Sequence, residues 1–122
     1  MVNRFPAEVR LLTAEAFSHV FQQGCCKAGD NAFLLLAHNN KSHQARLGLA
    51  IAKKQLKRAV DRNRVKRIAR EAFRHKQAPL AGVDIVVLSR AGALGLDKGQ
   101  IRRKLDRLFD KIARLHHAQK TE

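Results

Sequence analysis

Residues 57–74 read KRAVDRNRVKRIAREAFR, and this segment constrains the fold more than any other. It holds eight cations, Lys57, Arg58, Arg62, Arg64, Lys66, Arg67, Arg70 and Arg74, against only Asp61 and Glu71. At about 100° per residue, Val65, Ile68, Ala69 and Ala72 gather on one side of a helix, with Phe73 at its edge. Asn63, Lys66, Arg67, Arg70 and Arg74 fall on the opposite side, flanked by Arg62 and Arg64. The spacing predicts a helix from Lys57 to about Lys76, ahead of Pro79. Its apolar side needs a partner layer, and a sheet is the expected one.

The rest of the chain supplies that sheet. Thr13 can cap a first helix running to about Gln23, with Glu15 in its first turn and Gly24 as its stop. Phe33 to Ala37 (FLLLA) is a short apolar run between GDN and HNNKS, which predicts a strand. By the period of two, Leu34 and Leu36 share one face of this strand and Phe33 and Leu35 the other. Arg46 to Lys53 (RLGLAIAK) alternates strictly. Leu47, Leu49 and Ile51 lie on one face, and Gly48, Ala50 and Ala52 on a face bare enough for close backbone approach. Val83 to Leu88 (VDIVVL) is a third strand. Asp97 then caps a last helix, with Ile101, Leu105, Leu108, Ile112 and Leu115 on its apolar stripe. The order helix-strand-strand-helix-strand-helix describes a small two-layer α/β sandwich with a mixed sheet. The strands flanking the middle helix are expected to be parallel, since the helix is their crossover.

With 122 residues the chain is expected to form one domain, with mobile ends at about 1–8 and 117–122. Its 25 Lys and Arg against 10 Asp and Glu leave a formal charge of +15. So large an excess repels itself in a compact state unless a polyanion offsets it. An anionic membrane is the weaker partner, because no apolar run approaches the roughly 18 residues of a spanning helix. The N-terminal MVNRFPAEVR has no signal-peptide core. These features point to the cytoplasm. Cys25 and Cys26 are adjacent and have no further ligands at metal spacing, so they are expected to be reduced residues in a loop.

A solvated face is the ordinary fate of a charge run. Here almost no acidic residue interleaves to form i, i+4 pairs, so like charges stack and oppose the helix. A phosphate backbone reverses that penalty and releases counterions. Asn63 among arginines adds a neutral donor and acceptor for a base edge, a ribose hydroxyl or a hydrated metal ion. In the first helix, Phe17, Val20 and Phe21 lie at i, i+3 and i+4. They can be core, or Phe17 and Phe21 can form a stacking platform for unpaired bases. His19, His38, His43, His75, His116 and His117 show no recognisable spacing to a carboxylate, which argues against a nuclease acting through the protein alone.

The stretch RLGLAIAKKQLKRAVDRNRVKRIAREAFR (46–74) resembles the signature of the protein component of bacterial ribonuclease P. Its hallmark is the triplet Arg62, Asn63 and Arg64, followed by Lys66-Arg67 and Arg70-Glu71. RLLTAEAFSHVFQQG (10–24) is similar to that family's first helix, and GVDIVVLSRAG (82–92) to its last strand. Two departures stand out. Gln55-Leu56 occupies a turn where the family often has glycine, and Ala91 follows Arg90 where a second cation is common.

The resemblance implies a small accessory subunit of an RNA-catalysed endoribonuclease that removes the 5′ leader from precursor tRNA. It implies Mg²⁺ bound mainly by the catalytic RNA, no catalytic residue in the protein and no obligatory protein partner. The helix face of Arg62, Asn63, Arg64, Lys66, Arg67, Arg70 and Arg74 would bind the catalytic RNA. A cleft of Phe17, Phe21, Leu34, Leu36, Lys53, Lys54 and Arg90 would hold the leader. A left-handed crossover around the middle helix is also implied, against the usual rule. The competing class is a ribosomal-type RNA-binding protein with no part in cleavage, to which charge and the basic helix apply equally.

Overall fold

A computed structural model of the chain describes residues 26–40 and 44–120. The expected first helix with Phe17 and Phe21, the extended first ten residues, Cys25 and the last two residues lie outside the described residues. The described residues form a four-stranded sheet in the order β1-β2-β4-β3. The strands are β1 (Cys26–Gly29), β2 (Phe33–Asn39), β3 (Arg46–Ala50) and β4 (Val83–Ser89). β2 is antiparallel to β1 and β4, while β3 and β4 run parallel. The helix α1 (Ala59–Arg74) lies between the parallel pair in sequence, as expected, because no hairpin can join parallel strands.

β1 corrects the expectation for Cys26. This residue is not in a loop; it is 5% exposed, in a strand that pairs with Ala37 of β2. Four residues with only Cys26 and Ala28 as inward positions carry too little alternation to be read alone. β3 also stops at Ala50 instead of Lys53. There the carbonyl of Ala52 accepts from the amides of Gln55 and Leu56, which closes a turn.

Register assigns the two faces of the sheet. One face carries the rows Ala28-Leu35-Val87-Leu49 and Cys26-Ala37-Ile85-Leu47. All are buried except the half-buried Leu49, and the helices cover them. The other face carries Gly29-Leu34-Leu88-Ala50 and Lys27-Leu36-Val86-Gly48. Phe33 and Leu35 therefore point into the core and Leu34 and Leu36 away from it; the alternation sets the two pairs on opposite faces, and the packing of the helices decides which face is core.

The second helix, α2 (Lys98–Lys120), starts where expected. Asp97 Oδ1 accepts from the Gln100 amide at 2.8 Å, and Gln100 Oε1 accepts from the Asp97 amide at 3.0 Å. This reciprocal cap satisfies two donors that the first turn leaves open. Leu115 departs from the expected apolar stripe: it is exposed, and His116 takes the buried position beside Phe109 and Ile112. Position 116 is four residues after Ile112 and seven after Phe109, closer to the centre of the stripe than 115.

The apolar side of α1 buries Val65, Ala69, Ala72 and Phe73, and leaves Ile68 half-buried. It packs mainly on α2, and less on the sheet than its pattern suggested. Phe73 and Phe109 meet at 5.8 Å between ring centroids, tilted by 58°. Each is fully buried, and a ring so placed contributes roughly 1.5–3 kcal/mol by area removed from water.

Candidate nucleic-acid interface

Because Val65, Ala69, Ala72 and Phe73 face inward, the opposite side of α1 is obliged to face solvent. Asn63, Arg67 and Arg70 are exposed there, with Arg64, Lys66 and Arg74 half-buried at the margins. Arg62 has a more local part. Its Nη1 donates to the carbonyls of Leu56 and Lys57, both at 2.8 Å, and so fastens the turn that enters the helix. No side chain of Arg58 caps α1. Leu56 is buried, so the departure from glycine at Gln55-Leu56 adds a core anchor to this turn.

α1 is held rigidly enough to present its cations. Arg102 of α2 donates through Nε to both oxygens of Asp106, at 3.1 and 3.2 Å, and its Nη1 lies 3.6 Å from Glu71 of α1. Lys76 and Asp110 form a second bridge at 2.9 Å. These pairs are partly exposed and each is worth little alone. They take up Glu71, Asp106 and Asp110, which removes acidic groups from the surroundings of the basic face.

The sheet face turned away from the helices has a different character. Val86 is fully buried within it, with Leu36, Leu88 and Ala50 packed around. Leu34 and Leu36 are half-buried and Gly48 adds no side chain. The next row, His38-Asp84-Arg46, is polar and borders the apolar patch. Lys53 and Lys54 are exposed in the turn beyond the C-terminal end of β3. Arg90 follows the parallel end of β4, and its Nη1 donates to the Asp30 carbonyl at 2.8 Å. The structure thus gathers Leu34, Leu36, Lys53, Lys54 and Arg90 along one face and one end of the sheet. Leu34 and Leu36 lie on the sheet face opposite the helices. Lys27, which pairs with Leu36 across this face, escaped the sequence reading because β1 did. Phe17 and Phe21 lie outside the described residues.

Among the described residues, a mixed sheet with helices on one face, an apolar second face and a helix surface rich in cations define a small α/β protein of the polyanion-binding class. The family model "Ribonuclease P" matches residues 5–113. The chain is 44% identical to the ribonuclease P protein component of Marinomonas sp., over 90% of this chain and 83% of that one. It is 45% identical to the component of Pseudomonas aeruginosa, over 93% of this chain and 85% of that one. Among solved structures, the Staphylococcus aureus RNase P protein superposes with a TM-score of 0.75 at 30% identity, covering 84% of this chain and 93% of that one. The Thermotoga maritima RNase P protein superposes with a TM-score of 0.73 at 30% identity, covering 84% and 96%. The chain belongs to the ribonuclease P protein family.

Proposed function

We propose that this chain is the protein subunit of a ribonucleoprotein that removes the 5′ leader from precursor tRNA, and that its RNA partner carries the hydrolysis. The observation that supports this best is the separation of two surfaces. The exposed cations of α1 suit the phosphates of a structured RNA. The apolar sheet face with Leu34 and Leu36, edged by Lys53, Lys54 and Arg90, suits a single strand held by shape, charge and stacking. Phe17 and Phe21 are assigned to that strand as stacking rings.

Mg²⁺ is placed mainly on the RNA, where phosphates can hold ions at the scissile bond. Among the described residues, no three His, Cys, Asp or Glu side chains gather into a group that could hold a metal ion. The protein's own work is to lower repulsion between two polyanions and to position the leader. Among the described residues no helix is long and apolar enough to cross a membrane. The particle is assigned to the cytoplasm, where tRNA is processed, without an obligatory protein partner.

Reconstitution tests the proposal. Precursor tRNA incubated with the purified protein alone should stay intact. Adding a bacterial ribonuclease P RNA should release the 5′ leader at Mg²⁺ concentrations where that RNA alone is slow. Cleavage by protein freed of RNA, or no gain when protein joins the RNA, would overturn it.

A further inference from the structure

Between α1 and the first turn of α2 runs a cleft at the edge of the basic face, to which that face contributes Arg64 and Arg67. It consists of two adjoining hollows of about 340 and 380 Å³, and Arg64, Arg67 and Lys98 line both. Ile68 contributes an apolar floor, Asn63 and Val60 the outer rim, and Gly99 a stretch of wall without a side chain. Glu71 and Arg102 also line the first hollow, where they pair with each other at 3.6 Å, and Asp106 holds Arg102 as well, so their charges offset within the wall. Arg64, Arg67 and Lys98 have no ion-pair partner among the described residues.

Three unpaired cations converging on one hollow repel one another, and Lys98 opposes the helix dipole as well. It stands in the first turn of α2, where no acidic residue accompanies it and where a cation is disfavoured. Asp97 and Gln100 already satisfy each other at the cap, so the side chains and not the open amides give the cleft its charge. An anion between the helices would relieve all three repulsions at once. The arginines offer forks that match phosphate oxygens, and Lys98 offers a point charge from the facing wall.

We propose that a backbone phosphate of the partner RNA enters this cleft and is held from both sides, by Arg64 and Arg67 of α1 and by Lys98 of α2. The proposal rests on the reading that α1 docks on RNA, and extends that surface onto a second helix. A polynucleotide fits better than a free anion, because the cleft opens at Asn63 onto the exposed face that continues to Arg70.

Affinity for a bacterial ribonuclease P RNA, measured across a series of salt concentrations, decides it. Lys98→Ala should weaken binding roughly 3–10-fold at low salt and lower the salt slope by about one. Gly99→Leu removes no charge but adds bulk to the wall. A Cβ at this position meets only the end of Arg103 at 3.2 Å and Asp97 Oδ1 at 3.4 Å, and leucine favours the helix more than glycine. It should weaken binding while thermal unfolding is unchanged. Lys111→Ala, an exposed cation of α2 about 20 Å further along its axis, should bind like the parent. Arg70→Ala tests the parent reading without touching the cleft. If Arg70→Ala weakens binding while Lys98→Ala and Gly99→Leu do not, the cleft proposal falls and the docking of α1 stands. Equal losses from Lys98→Ala and Lys111→Ala would also overturn the cleft, since net charge alone would then act. If none of the four changes affinity, the cleft and the docking of α1 fall together.

Discussion

Arg46 grips Asp84 across the parallel pair β3 and β4. Its Nε donates to Oδ1 at 2.8 Å and its Nη2 to Oδ2 at 2.6 Å. Asn40, just beyond β2, donates to the same Oδ1 at 2.7 Å. One carboxylate, 3% exposed, therefore ties together the ends of three strands. This bidentate geometry is the strong form of a charge-assisted hydrogen bond.

Removing Arg46 takes the paired cation from that buried carboxylate and leaves Asn40 donating to it. Arg46→Ala should cost about 2–3 kcal/mol, below the 3–5 typical of a fully buried pair, because water reaches the arginine. Its side chain is 37% exposed. Hydrogen bonding to Asp84 raises the Arg46 pKa above its ordinary value. For a group raised on folding, the stabilisation is complete below the unfolded value and is lost only as pH climbs through the folded one. The difference in urea midpoint between parent and Arg46→Ala should therefore stay constant from neutral pH to about pH 11. A difference that shrinks within that window contradicts the assignment.

Phe73 and Phe109 meet within the contact between α1 and α2. Phe73→Ala should cost roughly 3–5 kcal/mol, since the site is enclosed on every side. Phe73→Leu should cost much less. Thermal unfolding of both variants checks the contrast, and equal midpoints would mean that α1 docks through other residues.

Gly92 allows a close approach that no other residue could. An added Cβ would lie 2.3 Å from the Asn31 carbonyl oxygen and 2.7 Å from its carbon. The Gly92 amide also donates to that oxygen at 2.9 Å, so backbone would have to move. Gly92→Ala should destabilise by about 1–3 kcal/mol, as overpacking does. Gly99→Ala, in the first turn of α2, should not. Unfolding midpoints of the two variants, compared side by side, give the answer.

The two RNA surfaces should separate in mutants. Arg67→Ala is expected to weaken binding to the catalytic RNA and to lower the salt slope by about one, with little change in the preference of the assembled particle for precursor over mature tRNA. Phe17→Ala and Phe21→Ala should do the reverse, with a loss of roughly 1–3 kcal/mol per stacked base confined to the leader-bearing substrate. Unfolding measured alongside separates stacking from core loss. Large destabilisation with equal effects on both tRNAs would make these rings core and put the leader platform elsewhere.

Much of the fold and part of the candidate site were legible before any coordinates, for local reasons. The helix of α1 and its two faces follow from a period of 3.6 among neighbours a turn apart. The division of β2 into Phe33 and Leu35 against Leu34 and Leu36 follows from a period of two. The cap of α2 is a matter of Asp97 and Gln100 alone. What tertiary structure decided lies between segments distant in the chain. β1 exists because β2 offers it a ladder, so Cys26 became core and Lys27 joined the second sheet face. Arg62 turned to the carbonyls of its own entry turn, a competition between backbone and solvent that spacing does not encode. The cleft of Arg64, Arg67 and Lys98 needs α1 and α2 side by side, although the chain separates Arg67 from Lys98 by the whole of β4. Periodicity says which way a side chain points on its own element, while only packing between elements says what stands opposite it.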